Sequence, residues 1–235
     1  MSPHPFRPGH RAGPRGGRLP MTRNVKISLA ALGAFALIVA ALLFATRPDT
    51  PETGAAAGTP DSLVTADAAR LNDAPNASAT LVEFADFQCP ACGQVQPIMD
   101  QLVAQYGDRV QFVFRNFPLP MHQNAEAAAL AGEAARAQGA FHPMYERLFQ
   151  TQRDWSESPD AATVFRGYAQ DLGLDLNAYD AAIADPATAA KIQADKDAGT
   201  AAGVEGTPTI FVNGEKVQLR SVQDITDALD AAVNR

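Results

Sequence analysis

The clearest pattern of hydrophobic and polar residues lies in the stretch 80–117. Residues 80–87 are mostly apolar, with Glu83 as an interruption, which is typical of a strand covered on both faces. A stripe of apolar residues at helical spacing follows, and residues 110–117 then form a second apolar run. This order predicts a βαβ unit with a right-handed crossover. A short edge strand is expected to start at residues 63–64. The helical stripe consists of Val95, Ile98, Met99, Leu102, Val103 and Tyr106.

The chain beyond this unit predicts helices, a hairpin and a last helix. Residues 122–203 are Ala-rich with a helical pattern that glycines and prolines interrupt, which indicates a helical insert. Asn213 and Gly214 separate two short strand-like runs at residues 209–212 and 215–219, and Asn-Gly is the strongest short-range hairpin signal. Ser221 and Asp224 resemble a capping box at the start of the last helix.

The N-terminal part has the pattern of a membrane segment. Residues 27–45 carry no charge, and a helix of that length, rising about 1.5 Å per residue, reaches about 28 Å, close to the hydrocarbon thickness of a bilayer. Residues 1–26 contain six cations and no acid, so the positive-inside rule keeps them in the cytoplasm and exports the remainder. Residues 46–62 contain several Pro and Gly without an apolar period, which indicates a linker.

A cleaved signal peptide is the alternative interpretation of residues 27–45. Its apolar region is normally about 7 to 15 residues long and ends at a small-x-small site, which residues 43–45 match poorly. Met21 is as plausible a start as Met1. We therefore expect residues 63–235 to form a monomeric extracytoplasmic domain, held at the cell membrane by a single pass.

The charge of the chain excludes one class of partner. The hydrophobic content of 46% is sufficient for a packed core. With the six N-terminal cations set aside, thirteen basic residues face twenty-six acidic ones, a formal charge of −13. A domain this acidic should not bind nucleic acid.

Cys89 and Cys92 are the only cysteines and lie at the predicted strand-to-helix junction. Free N–H groups at a helix N-terminus stabilise a thiolate, so this placement favours chemistry over packing. Half of a zinc site is an alternative, but a zinc site needs four ligands, and two of the four histidines precede the predicted membrane segment. A purely structural disulfide is disfavoured, because a two-residue gap closes too small a loop to constrain the unfolded chain.

Three features together carry a resemblance to a known family: Glu83, the Cys-Pro-Ala-Cys motif at 89–92, and Gly-Thr-Pro-Thr at 206–209. The chain resembles DsbA-like thiol-disulfide oxidoreductases of the thioredoxin superfamily over about residues 73–235. Residues 114–119 and the Ala-rich run after them are similar to the membrane-anchored and Gram-positive members. The resemblance implies an α/β thioredoxin fold with an inserted helical domain, here preceded by an N-terminal transmembrane helix.

The resemblance also implies a role for each residue of the site. Cys89 is expected to be the exposed nucleophile and Cys92 the buried resolving thiol. Glu83 would be a buried proton acceptor for that thiol, although a solvated glutamate on an edge strand is an alternative. Pro208 would be the cis proline beside the cysteines, and Thr207 would offer backbone hydrogen bonds to an extended substrate.

Pro90 and Ala91, between the cysteines, are expected to contact the substrate as well. Because Pro needs no N–H partner in a first helical turn, Pro90 suits a helix start. The resemblance implies no cofactor beyond the redox-active disulfide of Cys89 and Cys92, and no metal. It implies exported cysteine-containing proteins as substrates and a quinone-coupled membrane reoxidase as the electron acceptor.

These features together favour an oxidase that introduces disulfides into exported proteins, since disulfides persist outside the cytosol. A reductase or isomerase of the same fold is an alternative, and so is a redox-inactive adaptor that binds peptides beside Pro208. An oxidase should have a Cys89/Cys92 potential above about −200 mV. His122, His142, Arg115 and Trp155 receive no catalytic role, because a histidine near a helix start more often caps or packs.

Overall fold

The computed structural model describes residues 63–234, and a five-stranded sheet organises them. The strand order is β1-β3-β2-β4-β5, with β2 and β3 parallel and the other neighbouring strands antiparallel. β2 therefore lies in the middle of the sheet. The strands are β1 (Ala69–Arg70), β2 (Ala79–Ala85), β3 (Val110–Asn116), β4 (Thr209–Val212) and β5 (Glu215–Lys216).

The predicted strand, helix and strand are present as a parallel βαβ unit. Helix α1 (Pro90–Tyr106) connects β2 to β3, and its C-cap is Gly107. Its buried face carries Cys92, Met99 and Tyr106, among others, in agreement with the helical stripe. The crossover brings the carboxyl ends of β2 and β3 to the same edge of the sheet.

Within the described residues, six helices lie between β3 and β4, over the span predicted to be a helical insert. Gly139 and Gly173 have positive φ (73° and 72°) and end two of them. After β5 the last helix begins with the predicted capping box of Ser221 and Asp224. The insert helices are α2 (Ala125–Arg136), α3 (Phe141–Gln150), α4 (Gln152–Trp155), α5 (Ala161–Asp171), α6 (Leu176–Ala184) and α7 (Pro186–Ala201), and the last is α8 (Val222–Val233).

The sheet is buried on both faces. On the face of α1, Phe87 stacks on Phe114 with ring centroids 4.8 Å apart, within a core that includes the buried residues of α1, α3 and α8. On the face of α7, Phe84 and Phe117 pack edge to face at 6.3 Å. A Cβ on Gly199 of α7 would lie 2.8 to 2.9 Å from these two rings, so this glycine permits the close approach of helix and sheet.

Two details of the sheet differ from the prediction. The edge strand lies at Ala69–Arg70 and not at residues 63–64, because Leu63 is buried and its carbonyl accepts a hydrogen bond from Arg115 Nη1 at 2.6 Å. The hairpin at Asn213 and Gly214 is present, with φ of 50° and 86° as a type I′ turn requires. Its second strand, however, spans only Glu215–Lys216.

The predicted basic N-terminus (1–26), membrane segment (27–45) and linker (46–62) lie outside the described residues. Among the helices of residues 63–234, none is long and apolar enough to cross a membrane.

Candidate active site

The two cysteines lie where β2 leads into α1. Cys89 is the N-cap residue of α1, with extended backbone angles (φ −68°, ψ 121°), and Pro90 occupies the first turn. The Gly93 N–H donates to the Cys89 carbonyl at 3.1 Å and closes that turn. Both thiols are free, and Cys89 is 7% exposed whereas Cys92 is fully buried. The structure thus places Cys89 at a helix N-terminus, as the sequence predicts.

Hydrogen bonds to the sulfur lower the pKa of Cys89 from 9.0 to about 5. The largest contribution is the hydrogen bond from the Cys92 thiol, and burial opposes it. The Thr207 side chain and the backbone N–H groups of Cys92 and Ala91 lower the pKa of Cys89 further. Cys89 is therefore a thiolate at neutral pH and a good leaving group in disulfide exchange.

Cys92 is in the opposite state, because burial raises its pKa far above the ordinary thiol value. The hydrogen bond to Cys89 raises the pKa of Cys92 further, and so does the charge that Glu83 carries once it is ionised, whereas the backbone N–H of Asp86 lowers it. Cys89 ionises while Cys92 keeps its proton. This difference in pKa fits a nucleophile and a resolving thiol. Cys89 is itself buried, however, and not exposed as predicted, because the Thr207 carbonyl lies against its sulfur.

Glu83 lies on β2, in the middle of the sheet, and its side chain is 1% exposed. Its Oε2 atom has no hydrogen-bond partner. Burial alone raises the pKa of Glu83 from 4.5 to about 8, so the carboxyl group is protonated at neutral pH. A solvated glutamate on an edge strand, the alternative interpretation, is therefore wrong.

Thr207 and Pro208 precede β4, which pairs with β2. The Thr207-Pro208 peptide bond is cis, as the resemblance implied. The Thr207 carbonyl oxygen lies 3.5 Å from Cys89 Sγ. Because this carbonyl is directly beside the sulfur, the segment can form backbone hydrogen bonds to a chain that reaches Cys89.

Grooves flank the cysteine motif on two sides. The first, of about 470 Å³, runs from Ala91 and Pro208 to α8 and has an apolar lining that includes the exposed Leu219 and Val222. The second, of about 560 Å³, lies between Pro90 and the start of α4 and is lined largely by polar side chains. Pro90, Ala91 and Pro208, predicted from the sequence to contact substrate, thus border the grooves.

A hydrogen-bond network that the sequence analysis did not single out holds the turn before Cys89. The carboxylate of Asp86 is buried, and its Oδ2 lies 2.7 Å from His122 Nδ1. The Gln152 side chain donates from Nε2 to the carbonyls of Phe87 and Cys89, at 2.7 and 2.9 Å. The position of Asp86 directly after a parallel strand is a usable signal, whereas nothing in the sequence pairs it with His122 or places Gln152.

A group of three side chains that could hold a metal ion lies apart from the thiols. Within residues 63–234, Asp100, His142 and Glu146 present ligand atoms within 4.8 Å of one another. Asp100 is two helical turns beyond Cys92 on α1. Partly exposed acidic groups are common without an ion, so this group by itself does not indicate a metal site.

Comparison with protein families gives one match that covers most of the chain. The family model described as thioredoxin matches residues 71–231.

Among curated proteins, the chain is 39% identical over 181 residues to the Na(+)/H(+) antiporter NhaA 3 of Salinispora tropica, covering 76% of this chain and 27% of that protein. It is 34% identical over 158 residues to an NhaA antiporter of Herminiimonas arsenicoxydans, covering 67% and 24%. The chain spans about a quarter of the length of these relatives. Their names describe Na(+)/H(+) antiport, and that activity is said of those proteins only.

Solved structures give the same fold. BdbD from Bacillus subtilis superposes with a TM-score of 0.63 at 22% identity, covering 72% of this chain and 94% of BdbD. A thioredoxin-like oxidoreductase from Silicibacter pomeroyi superposes with a TM-score of 0.62 at 26% identity, covering 74% and 98%. A variant of α-DsbA1 from Wolbachia pipientis gives 0.63 at 20% identity, covering 75% and 96%.

Proposed function

This chain belongs to the thioredoxin family, as a DsbA-like thiol-disulfide oxidoreductase, and from this premise we propose that it works as an oxidase of exported proteins. The resemblance predicted from the sequence is thereby confirmed, together with the thioredoxin fold. The direction of the reaction, the site roles, the substrates and the location belong to the proposal.

The observation that carries the proposal is the contrast between the two thiols. Hydrogen bonding lowers the pKa of Cys89 to about 5, whereas burial raises the pKa of Cys92. A stable Cys89 thiolate favours the reduced form of the protein, which makes the disulfide form a stronger oxidant. A reductase needs a disulfide form that is more stable relative to its dithiol form, so the low pKa of Cys89 favours the oxidase.

In the proposed reaction the Cys89/Cys92 disulfide accepts two electrons from a substrate dithiol. A substrate thiolate attacks Cys89 Sγ, the S–S bond breaks, and Cys92 leaves with the electron pair. A second substrate thiolate then attacks the substrate sulfur of the mixed disulfide, and Cys89 leaves as a thiolate. The substrate gains a disulfide, and the enzyme is left with Cys89 as a thiolate and Cys92 as a thiol.

In this proposal, Glu83 is the group that exchanges a proton with Cys92. Cys92 must gain a proton as it leaves, because burial disfavours its thiolate. Glu83 is protonated at neutral pH and is near enough for its charge to act on Cys92. In this proposal it donates its proton when Cys92 leaves, and the resulting carboxylate takes that proton back from Cys92 when the dithiol is reoxidised.

The substrate is an extended peptide with a cysteine, bound beside Thr207 and Pro208. The Thr207 carbonyl next to Cys89 Sγ supplies a backbone hydrogen-bond acceptor, and the apolar groove toward α8 accepts side chains on one flank. Main-chain hydrogen bonds make few demands on sequence, which suits an enzyme with many exported substrates.

The proposed location is the outer side of the cell membrane, with residues 27–45 as a single-pass anchor. The length of the uncharged segment and the cations before it support this topology. A quinone-coupled membrane protein would then accept the electrons. Protease added to spheroplasts should remove the domain, and a shortened soluble form in the medium would instead support a cleaved signal.

The test of the proposed function compares Cys89→Ser with Cys92→Ser on a reduced, unfolded protein substrate. Cys89→Ser should abolish substrate oxidation. Cys92→Ser, first converted to a mixed disulfide of Cys89 with glutathione, should accumulate a mixed disulfide with a substrate that has a single cysteine. The substrate thiolate displaces glutathione as a thiolate, and no Cys92 thiol is present to attack back and release the substrate. Full peptide-dependent function in the Cys89→Ser protein would contradict an enzymatic role and favour a redox-inactive adaptor.

A further inference from the structure

The turn that carries Cys89, residues 86–89, is fixed through Asp86. The Cys89 N–H donates to the Asp86 carbonyl at 3.0 Å. The backbone N–H of Asp86 also lowers the pKa of Cys92. The position of Asp86 therefore affects both thiols.

The Asp86 side chain is buried but fully hydrogen-bonded. Its Oδ1 accepts from the Gln88 N–H at 2.7 Å, and its Oδ2 accepts from the Leu119 N–H at 2.8 Å. His122 Nδ1 lies 2.7 Å from the same Oδ2. An ionised carboxylate can only accept hydrogen bonds, so Nδ1 carries the hydrogen and His122 donates.

The topology explains why His122 reaches this carboxylate. β2 and β3 are parallel and in register at their ends, where Ala85 is paired with Asn116. The Phe117 N–H donates to the Ala85 carbonyl at 2.8 Å, which holds the two exits together. The His122 N–H donates to the Leu119 carbonyl at 3.0 Å, so His122 sits in a fixed turn at the start of the insert.

We infer that Asp86 and His122 form a positioning pair, through which the helical insert holds Cys89 against the first turn of α1. This inference rests on the proposed disulfide exchange. Neither residue takes part in a bond that forms or breaks. Their effect is to keep the Cys89 sulfur close to the N–H groups that stabilise its thiolate.

The pair acts on the thiolate by geometry and by charge. Loss of the His122 donor would free the 86–89 turn, and Cys89 Sγ would then be less well aligned with the N–H groups of Ala91 and Cys92. The Asp86 carboxylate would also lose one of its three donors, and its charge would disfavour a nearby thiolate more strongly. Both changes disfavour the reduced enzyme.

The test uses the full-length protein with His122→Leu, which removes the donor at similar side-chain size. We expect the equilibrium constant with glutathione to shift about five- to tenfold toward the Cys89/Cys92 disulfide, on the scale of one ordinary intramolecular hydrogen bond. The Cys89 pKa, followed by the ultraviolet absorbance of its thiolate, should rise.

Two further variants separate positioning from general damage. His122→Asn keeps a side-chain N–H near the place of Nδ1 and should restore the equilibrium to within about twofold of the parent. His142→Leu is the matched control, since His142 lies on α3 beside Asp100, at 3.9 Å, and forms no hydrogen bond with the 86–89 turn. It should leave the equilibrium and the Cys89 pKa unchanged.

Each outcome decides a different question. A folded His122→Leu protein with the parent equilibrium and the parent Cys89 pKa overturns the inference while the proposed function stands. Equal losses in His122→Leu and His122→Asn also overturn it. A parent protein that forms no disulfide with glutathione contradicts the proposed function itself.

The unmodified protein provides a test if His122→Leu fails to fold. Nitrogen NMR of the imidazole should show the hydrogen on Nδ1 of His122, with resonances that shift between the oxidised and reduced forms. His142 should show no such redox-dependent shift. A hydrogen on Nε2 alone, or His122 resonances that are identical in both redox forms, would overturn the inference.

Discussion

The two faces of the sheet differ in whether their buried ionisable side chains have partners. On the face of α7, Asp195 and Arg115 are both buried, and Arg115 Nε lies 2.7 Å from Asp195 Oδ1. Lys191 joins them by lying 3.2 Å from Asp195 and 3.1 Å from the buried Glu133. On the face of α1, Glu83 is equally buried, but its Oε2 has no partner.

The difference separates charges that join elements of the fold from an unpaired acid to which we assign a role in the proposed reaction. The paired charges join β3 to α2 and α7, so they attach the insert to the sheet. An acid without a partner costs stability, because burial penalises its ionised form. Such a group, placed beside a resolving thiol, is expected where chemistry needs an acid that is protonated at neutral pH.

The largest effect on stability is expected from Asp195→Asn, which breaks the paired side of the comparison. Arg115 would keep its buried charge without a carboxylate partner, and removal of one partner of a buried pair costs about 3 to 5 kcal/mol. Urea unfolding should show this loss. The glutathione equilibrium of the folded variant should stay near that of the parent, because the cluster lies on the opposite face from the thiols.

Asp180→Asn is the matched control for that experiment. Asp180 pairs with Arg166 at 2.8 Å, nearly the same distance, but both side chains are about half exposed. An exposed pair contributes little, so no measurable loss of stability is expected. Equal losses in the two variants would show that burial is not what distinguishes the Arg115 pair.

The second prediction concerns Glu83→Gln, which removes the unpaired acid. The pKa of Glu83 is raised from 4.5 to about 8, so folding requires a proton uptake at pH 7 that costs about 3 kcal/mol, and glutamine does not need it. The variant should therefore unfold at higher urea concentration at pH 7. It should also oxidise substrate and be reoxidised more slowly, because no group then exchanges a proton with Cys92.

The stability of the two proteins as a function of pH tests this prediction further. The folded pKa is raised, so the favourable contribution of protonated Glu83 is complete below about 4.5 and is lost as pH rises through about 8. The stability difference between Glu83→Gln and the parent should grow over that range and then level off. A constant difference from pH 4 to 9 would contradict the raised pKa.

A smaller effect is expected from Lys191→Met, at the rim of the paired cluster. Lys191 bridges Glu133 and Asp195, but Asp195 keeps Arg115, and Glu133 keeps its hydrogen bond from Asn116 Nδ2 at 2.8 Å. The loss should be about 1 kcal/mol, measurable by urea unfolding. A loss as large as that of Asp195→Asn would mean that Lys191, and not Arg115, is the main partner.

The sequence predicts the parts of this molecule that depend on local pattern. The βαβ unit, the hairpin at Asn213 and the capping box at Ser221 follow from spacing and from turn chemistry. Cys89 at the start of α1 follows from its place after an apolar run and before Pro90. These features need only neighbours along the chain, which a single sequence displays.

Contacts between distant segments could not be predicted in the same way. Arg115 forms a hydrogen bond with Asp195, eighty residues later in the chain. Asp86 contacts His122 only because two parallel strands end at the same edge of the sheet. The prediction of an edge strand at residues 63–64 is wrong for a related reason. Leu63 is held in the core by Arg115, which is distant in the sequence, and the strand lies at Ala69–Arg70. Burial of Glu83, which sets its pKa, likewise depends on α1 and α3 covering β2.

The redox potential of Cys89 and Cys92 tests the central claim most directly. The Cys89 pKa of about 5 favours the folded reduced form by up to about 3 kcal/mol at pH 7. The folded pKa is depressed, so this stabilisation is complete above 9.0 and disappears as pH falls through about 5. It corresponds to about 60 mV above the thioredoxin value of about −270 mV.

A glutathione titration at pH 7, followed by the thiolate absorbance, measures this potential. The Cys89 pKa of about 5 predicts about −210 mV, slightly below the value of about −200 mV expected from the sequence, and a reduced form that melts above the oxidised form. A potential near −270 mV, with the oxidised form the more stable, would contradict the oxidase assignment and favour a reductase.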